Sequence, residues 1–273
     1  MDTSLSVNEL VYADDTLIMD IDSAKLQTFM TCIGDAGRNY GLSFNWSKLE
    51  VLPVRTHANI CRPDGTQVAE QDAMTYLGSR LSSDGRIGAE LGRRIGLALQ
   101  DFRTLKKVWR HSSISYRRKL LIFDACVISK LTYGLFTAIL NQAERRRLDG
   151  FQARCLRQIL KIAPSFYSRV SNKEVLGRAE SCTLSTKLAR QQIKFMGQVA
   201  KRGGDDPIRR SIFNDEGCDL RKPEGTRRRG RPRAAWGATV MTHCTRAGLR
   251  LVDLTAGHTT KSEWQAAVRA YHI

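Results

Sequence analysis

Leu10-Val11-Tyr12-Ala13-Asp14-Asp15-Thr16-Leu17-Ile18-Met19 is the stretch on which the fold turns. Two adjacent carboxylates sit between two apolar, β-prone runs, the pattern of a short hairpin with the acids at or near its turn. Carboxylates held on a tight turn offer hard oxygen donors suited to Mg²⁺ and phosphates. Donors of that kind serve two-metal phosphoryl or nucleotidyl transfer. An adjacent Asp-Asp is also an ordinary solvated turn former, so the pair takes its weight from its flanks and from the motifs downstream of it.

The 273 residues suffice for one large or two to three small domains. No apolar run approaches the roughly 18 residues that span a bilayer. Asp2 and Glu9 stand where a signal peptide would carry bases. An intracellular protein, neither secreted nor membrane-spanning, is therefore expected. The seven cysteines show no Cys-x-x-Cys spacing, and their odd number argues against a disulfide framework. Charge is strongly divided. Residues 1–85 hold twelve acids and six bases, whereas residues 86–273 hold fifteen acids and thirty-eight bases. An acidic front and a basic rear suit a protein that acts on a polyanion, although basic surface also confers plain solubility.

Beyond the hairpin, Ser23 is expected to cap a helix carrying Leu26, Phe29, Met30, Ile33 and Ala36. It should stop near Gly37 to Gly41. Strands are expected at 42–44 and 51–54 around a turn at Asn45-Trp46-Ser47-Lys48, a further turn at Pro63-Asp64-Gly65, and two strand pieces at 74–78 and 80–81. The chain then becomes helical. Ile87, Leu91, Ile95, Ala98, Phe102, Leu105 and Trp109 form an amphipathic stripe, with Gly88, Gly92 and Gly96 suggesting close approach of another helix or a backbone. Residues 116–140 are apolar nearly all round and predict a central buried helix. Its first turn carries Arg117, Arg118 and Lys119 against the helix dipole, a placement that suits phosphate contact. Helices are also expected at 144–162, about 183–201, 234–248 and 261–271, with a long connection at 203–235. In the helix at 144–162, Arg145, Arg146, Arg147, Arg154 and Arg157 should face outward. Tyr116, Tyr133, Trp109 and Trp236 could stack on bases, although the first three sit at helical spacing, where such residues are more often core.

In this order the motifs resemble those of non-LTR retrotransposon reverse transcriptases. Tyr12-Ala13-Asp14-Asp15 looks like the metal-binding palm motif. Gly41-Leu42-Ser43-Phe44-Asn45, with Lys48 and Glu50, looks like the next palm motif. Tyr76-Leu77-Gly78-Ser79, followed by Asp84-Gly85, looks like the strand-turn that grips the primer. Arg93-Arg94-Ile95, Lys119-Leu120 and Leu131-Thr132-Tyr133-Gly134 look like the thumb. Phe195-Met196-Gly197-Gln198-Val199 and Arg229-Gly230-Arg231-Pro232-Arg233-Ala234-Ala235-Trp236 fit the tail.

The resemblance implies an α+β fold: a partial reverse-transcriptase palm of short antiparallel strands plus helix at 1–85, an all-α thumb at 86–175, and a basic helical tail at 176–273. It implies catalytic Asp14, Asp15 and Lys48, with Asp14 and Asp15 on Mg²⁺ and Lys48 near the leaving pyrophosphate. It implies Tyr76, Leu77 and Gly78 as primer grip, and an RNA template with a DNA primer as partners.

Two-metal transfer needs a further carboxylate on a separate strand. In this family that residue and the fingers precede the hairpin, and here only Met1 to Leu10 do. The isolated chain is therefore expected not to polymerise DNA, unless a missing N-terminal half acts in trans. It is also expected to expose the sheet edge and apolar face which the absent strands should cover. A nucleic-acid-binding module without catalysis and a decayed retroelement relic are the alternatives. The run Arg227, Arg228, Arg229, Arg231 and Arg233 looks like an AT-hook or a nuclear-localisation patch, and a nuclear location follows from the latter. Arg117, Arg118 and Lys119 complete the expected nucleic-acid-binding set.

Overall fold

In the computed structural model, which describes residues 8–54, 56–214, 217–221 and 235–273, the runs flanking Asp14 pair antiparallel. They form β1 (Glu9–Tyr12) and β2 (Asp15–Ile18), with Tyr12 opposite Asp15. Helix α1 (Ser23–Arg38) follows, and β3 (Ala73–Tyr76) pairs with β4 (Ser79–Ser82) in a second hairpin. The remaining elements are α2 (Gly88–Thr104), α3 (Lys106–Arg110), α4 (Tyr116–Phe123), α5 (Ser129–Thr132), α6 (Gln142–Ile159), α7 (Ser165–Ser168), α8 (Asn172–Arg178), α9 (Leu184–Ala200), α10 (Pro207–Ile212), α11 (Trp236–Arg246), α12 (Leu251–Thr255) and α13 (Lys261–Ala270). The fold is thus mixed α+β, mostly helical, with two small antiparallel sheets among the described residues. No helix among them is long and apolar enough to cross a membrane. Contacts divide the chain into units Met1–Glu90 and Leu91–Ile273. The boundary expected at 175/176 falls inside α8.

In the first unit, Asp22 rather than Ser23 caps α1, accepting from the Ala24 N–H at 2.8 Å. Met30, Ile60 and Val68 are buried, with Phe44 and Trp46 packed against them. This packing explains why the strand expected at 42–44 does not form. A Cβ at Gly34 would lie 3.1 Å from the Phe44 ring, so Phe44 plugs against α1 instead of joining a ladder. Val51 makes only an isolated parallel bridge to Glu70, and no strand runs through 51–54. The Gln27 side-chain amide pairs with the backbone of Cys61, donating at 3.1 Å and accepting at 2.8 Å. It ties α1 to the small turn at Pro63-Asp64-Gly65.

The second unit departs from the expected helix plan in several places, and one is α10, which lies within the connection expected at 203–235. The stripe over 87–109 breaks at Leu105, because the Trp109 indole N–H donates to the Phe102 carbonyl at 2.8 Å and their rings stack at 5.1 Å. The expected glycine seam does not form. A Cβ at Gly92 would meet the Arg147 guanidinium at 3.4 Å, while one at Gly96 would meet nothing within 4 Å. Helix α4 continues through a π turn at Asp124–Ile128 into α5 and ends at Thr132, so no helix runs to 140. Nor is it buried all round, since Leu121 and Asp124 to Cys126 are exposed.

The central helix is α9 instead, which packs on α6, α10, α11, α12 and α13. Its buried N-terminus is satisfied by α6: Gln152 Oε1 accepts from the Leu184 N–H at 2.9 Å and Asp149 Oδ1 from the Ser185 N–H at 2.8 Å. That arrangement meets the requirement that orphan helix donors find partners when buried.

Gly197 lets α13 approach α9, since a Cβ there would sit 2.9 Å from the Trp264 indole. Gly197→Ala is therefore expected to destabilise the chain by about 1–3 kcal/mol through overpacking, read as a lower urea midpoint. Buried His243 meets the Tyr271 hydroxyl at 2.7 Å through Nδ1. Burial, then the Arg145 and Arg246 charges, hold its imidazole below the ordinary value of 6.5. The unfolded chain takes up that proton more readily, so its contribution is complete above pH 6.5 and declines below. Between about pH 7.5 and pH 5.5 the urea midpoint should fall more for wild type than for His243→Asn, which does not titrate.

Candidate functional site

The tip of the first hairpin consists of Ala13 and Asp14, with Asp15 opening β2. Ala13 takes the left-handed conformation at φ 54°, as one central residue of a two-residue hairpin loop must. Both carboxylates are exposed. Neither has a hydrogen-bond or ion-pair partner among the described residues. Every residue of β1 is exposed, including Val11 and Tyr12, so the apolar edge expected from the sequence is present.

Helix α1 turns at Gly41, φ 71°, into the segment that carries Lys48. The Lys48 N–H donates to the Asn45 carbonyl at 3.0 Å, closing the expected turn. Lys48 itself is exposed, and no hydrogen bond or ion pair joins it to Asp14 or Asp15 among the described residues. The structure does bring two other pieces together. The Tyr76 hydroxyl donates to the Leu10 carbonyl at 3.1 Å, tying the second hairpin to the strand that leads to Asp14. The loop beyond Tyr76 is left-handed at both residues, Leu77 at φ 46° and Gly78 at φ 74°. That geometry matches the right-handed twist of the flanking strands, and it places a bulky side chain where glycine is normally required.

Two carboxylates from one turn can serve one hydrated Mg²⁺. A two-ion centre takes a bridging acid from a separate strand, and the described residues contain no group of three or more His, Cys, Asp or Glu arranged to hold a metal. The donor set among the described residues therefore does not fit a two-metal centre.

Of the expected nucleic-acid residues, Arg117 and Arg118 are exposed on the first turn of α4, whereas Lys119 is only 2% exposed. Lys119 stands four residues before Phe123, on the face that packs inward, and its ammonium lies 5.6 Å from the Tyr116 ring centre. It does not face solvent. Arg227, Arg228, Arg229, Arg231 and Arg233 lie outside the described residues. Arg157, read as outward, is buried and donates to the carbonyls of Ala163 and Val170 and to Asn172 Oδ1, fixing the loops after α6. Trp109 is core as expected, but Tyr116 and Tyr133 are exposed, and the Arg94 guanidinium lies 5.2 Å from the Tyr133 ring centre. The sequence signal missed here was Lys119, whose helical phase with Phe123 already marked it as inward.

Comparison with family models, curated proteins and solved structures gave no match for this chain.

A leucine at φ 46° is strained by roughly 1–2 kcal/mol. Leu77→Gly should recover part of that, about 0.5–1 kcal/mol net of the glycine's greater unfolded-state freedom, as a higher urea midpoint. If Leu77 is retained for nucleic-acid contact, the same substitution weakens oligonucleotide binding while stabilising the fold.

Proposed function

We propose that the chain is the end of the palm, the thumb and the basic tail of an RNA-directed DNA polymerase of the non-LTR retrotransposon kind. Its own residues grip an RNA template and DNA primer, and nucleic acid more generally, but do not complete a polymerase site. Support comes chiefly from one observation: the Tyr-Ala-Asp-Asp tip is a two-residue hairpin turn, and Tyr76, beside the left-handed Leu77-Gly78 loop, is bonded to the strand that carries it. In this function Asp14 and Asp15 hold Mg²⁺, which supplies charge to offset the phosphates. Lys48 serves the incoming triphosphate in this reading. Retroelement insertion makes the nucleus the expected location.

A second function, nucleic-acid binding without catalysis, is favoured by the carboxylate count, since the described residues gather no third acid at the turn. It shares the charge argument. The second unit holds thirty-seven bases and fourteen acids, an excess larger than the whole chain's +17, which suits phosphate affinity that falls with salt.

Primer extension on an RNA template with Mg²⁺ separates the two functions. The isolated chain should give no extension. Incorporation that vanishes in Asp14→Ala would show a complete site and refute the inactive fragment. In parallel, the affinity for an RNA–DNA hybrid should drop at least tenfold from low to moderate salt, about what three or more phosphate contacts release. A salt-independent affinity would overturn both functions.

A further inference from the structure

We propose that the second unit carries a track for single-stranded nucleic acid along α3, the C-terminal end of α6 and α7, built from residues other than those assigned above to metal, primer or nucleic acid. It rests on the nucleic-acid function just proposed and gives it a location. Beside the break between α2 and α3 opens a groove of about 650 Å³, lined by Arg103, Lys106, Arg110 and Lys161 over Phe102 and Trp109. All four cations are exposed, and among the described residues none has an ion-pair partner. The nearest acid in sequence, Asp101, is taken by Lys130 at 2.9 Å. Four like charges around one slot repel each other, and a polyanion lying in it removes that repulsion while releasing its counterions. Phe102 and Trp109 are buried and locked by the indole-to-carbonyl bond. The groove thus has a stiff apolar wall and a cationic rim, suited to phosphates and not to bases.

Faces for bases lie next to it. Helix α7 begins four residues after Lys161 and presents Phe166 and Tyr167, 73% and 77% exposed, with ring centres 5.3 Å apart. The Arg169 guanidinium lies 5.7 Å from the Phe166 ring. Two adjacent large aromatics left in water beside an arginine form a stacking platform of the kind that unpaired bases occupy. Phe166 is at most about 18 Å from Lys161 along the chain, so one short strand reaches both. A duplex hides its base faces, and an acidic peptide has none. A single strand alone supplies phosphates and open faces together.

The test is fluorescence anisotropy of the full chain with a labelled oligothymidylate, a labelled DNA duplex and a labelled polyglutamate. The variant Lys106→Ala, Arg110→Ala, Lys161→Ala should lose at least tenfold in affinity for oligothymidylate, and its log K against log salt slope should shrink by about 2, three phosphates at roughly 0.7 each. The variant Phe166→Ala, Tyr167→Ala should lose about fivefold or more with an unchanged salt slope. Both should melt as wild type does, because the altered side chains are exposed. Glutamine replaces alanine in any variant that melts early.

Wild-type binding that neither variant weakens overturns the track and leaves the nucleic-acid function standing. No wild-type binding to either DNA overturns both. Polyglutamate bound as tightly as oligothymidylate overturns the track in favour of a generic anion surface. Duplex bound more tightly than the single strand, with no loss in the aromatic variant, overturns its single-strand character.

Discussion

The second unit depends on how α6 receives the start of α9. A helix buried on most sides must have its first N–H groups satisfied inside the protein, because water cannot reach them. Asp149 and Gln152 do this, and Gln152 also donates to the Cys182 carbonyl at 2.9 Å. With its N-terminus matched, α9 can spend the rest of its surface on apolar packing, and Leu188, Ile193, Met196 and Val199 are all buried. Its remaining polar groups extend the same logic. Gln192 donates to the Ala138 carbonyl and Arg190 to that of Tyr271, so the loop before α6 and the end of the chain are bonded to one helix.

The first unit has no such centre. Its buried set is small, and its two hairpins are separate two-stranded sheets. What holds the candidate site is correspondingly local: a left-handed alanine, a left-handed Leu-Gly pair and one tyrosine hydroxyl. Isolated hairpins are marginal in water, and the exposed face of β1 adds nothing to their stability. An acidic, lightly packed first unit and a basic, helical second unit therefore differ in more than charge.

Much of this was legible where pattern and environment agree. The two apolar runs around Asp14, the Pro-Asp-Gly turn and the apolar face of α6 state their structure locally, and Leu148, Phe151, Cys155, Leu156 and Ile159 are all buried. Failures came where a side chain had a tertiary use. Phe44 looked like a strand residue and became a plug for α1. Arg157 looked like a solvated cation and became the ligand of three loop acceptors. Lys119 looked like a phosphate contact because its neighbours Arg117 and Arg118 are cations, although helical phase sets it apart from both. The cationic groove joins residues from α2, α3 and the end of α6, so no contiguous motif could announce it. The aromatic pair on α7 was invisible because exposure is decided by what fails to pack over it.

The π turn at Asp124–Ile128 has a consequence for how the sequence there can change. Lys119, Phe123, Val127 and Leu131 are all buried and recur at a strict interval of four. On a 3.6-residue helix that interval overshoots one turn by about 40° each time, so a regular helix would carry the last of them away from the core. The wider π turn lies midway along the series and takes back part of the accumulated phase. A deletion of one residue within it would restore ordinary helix at the cost of rotating the residues downstream, so the wider turn keeps Lys119 and Phe123 in step with Leu131.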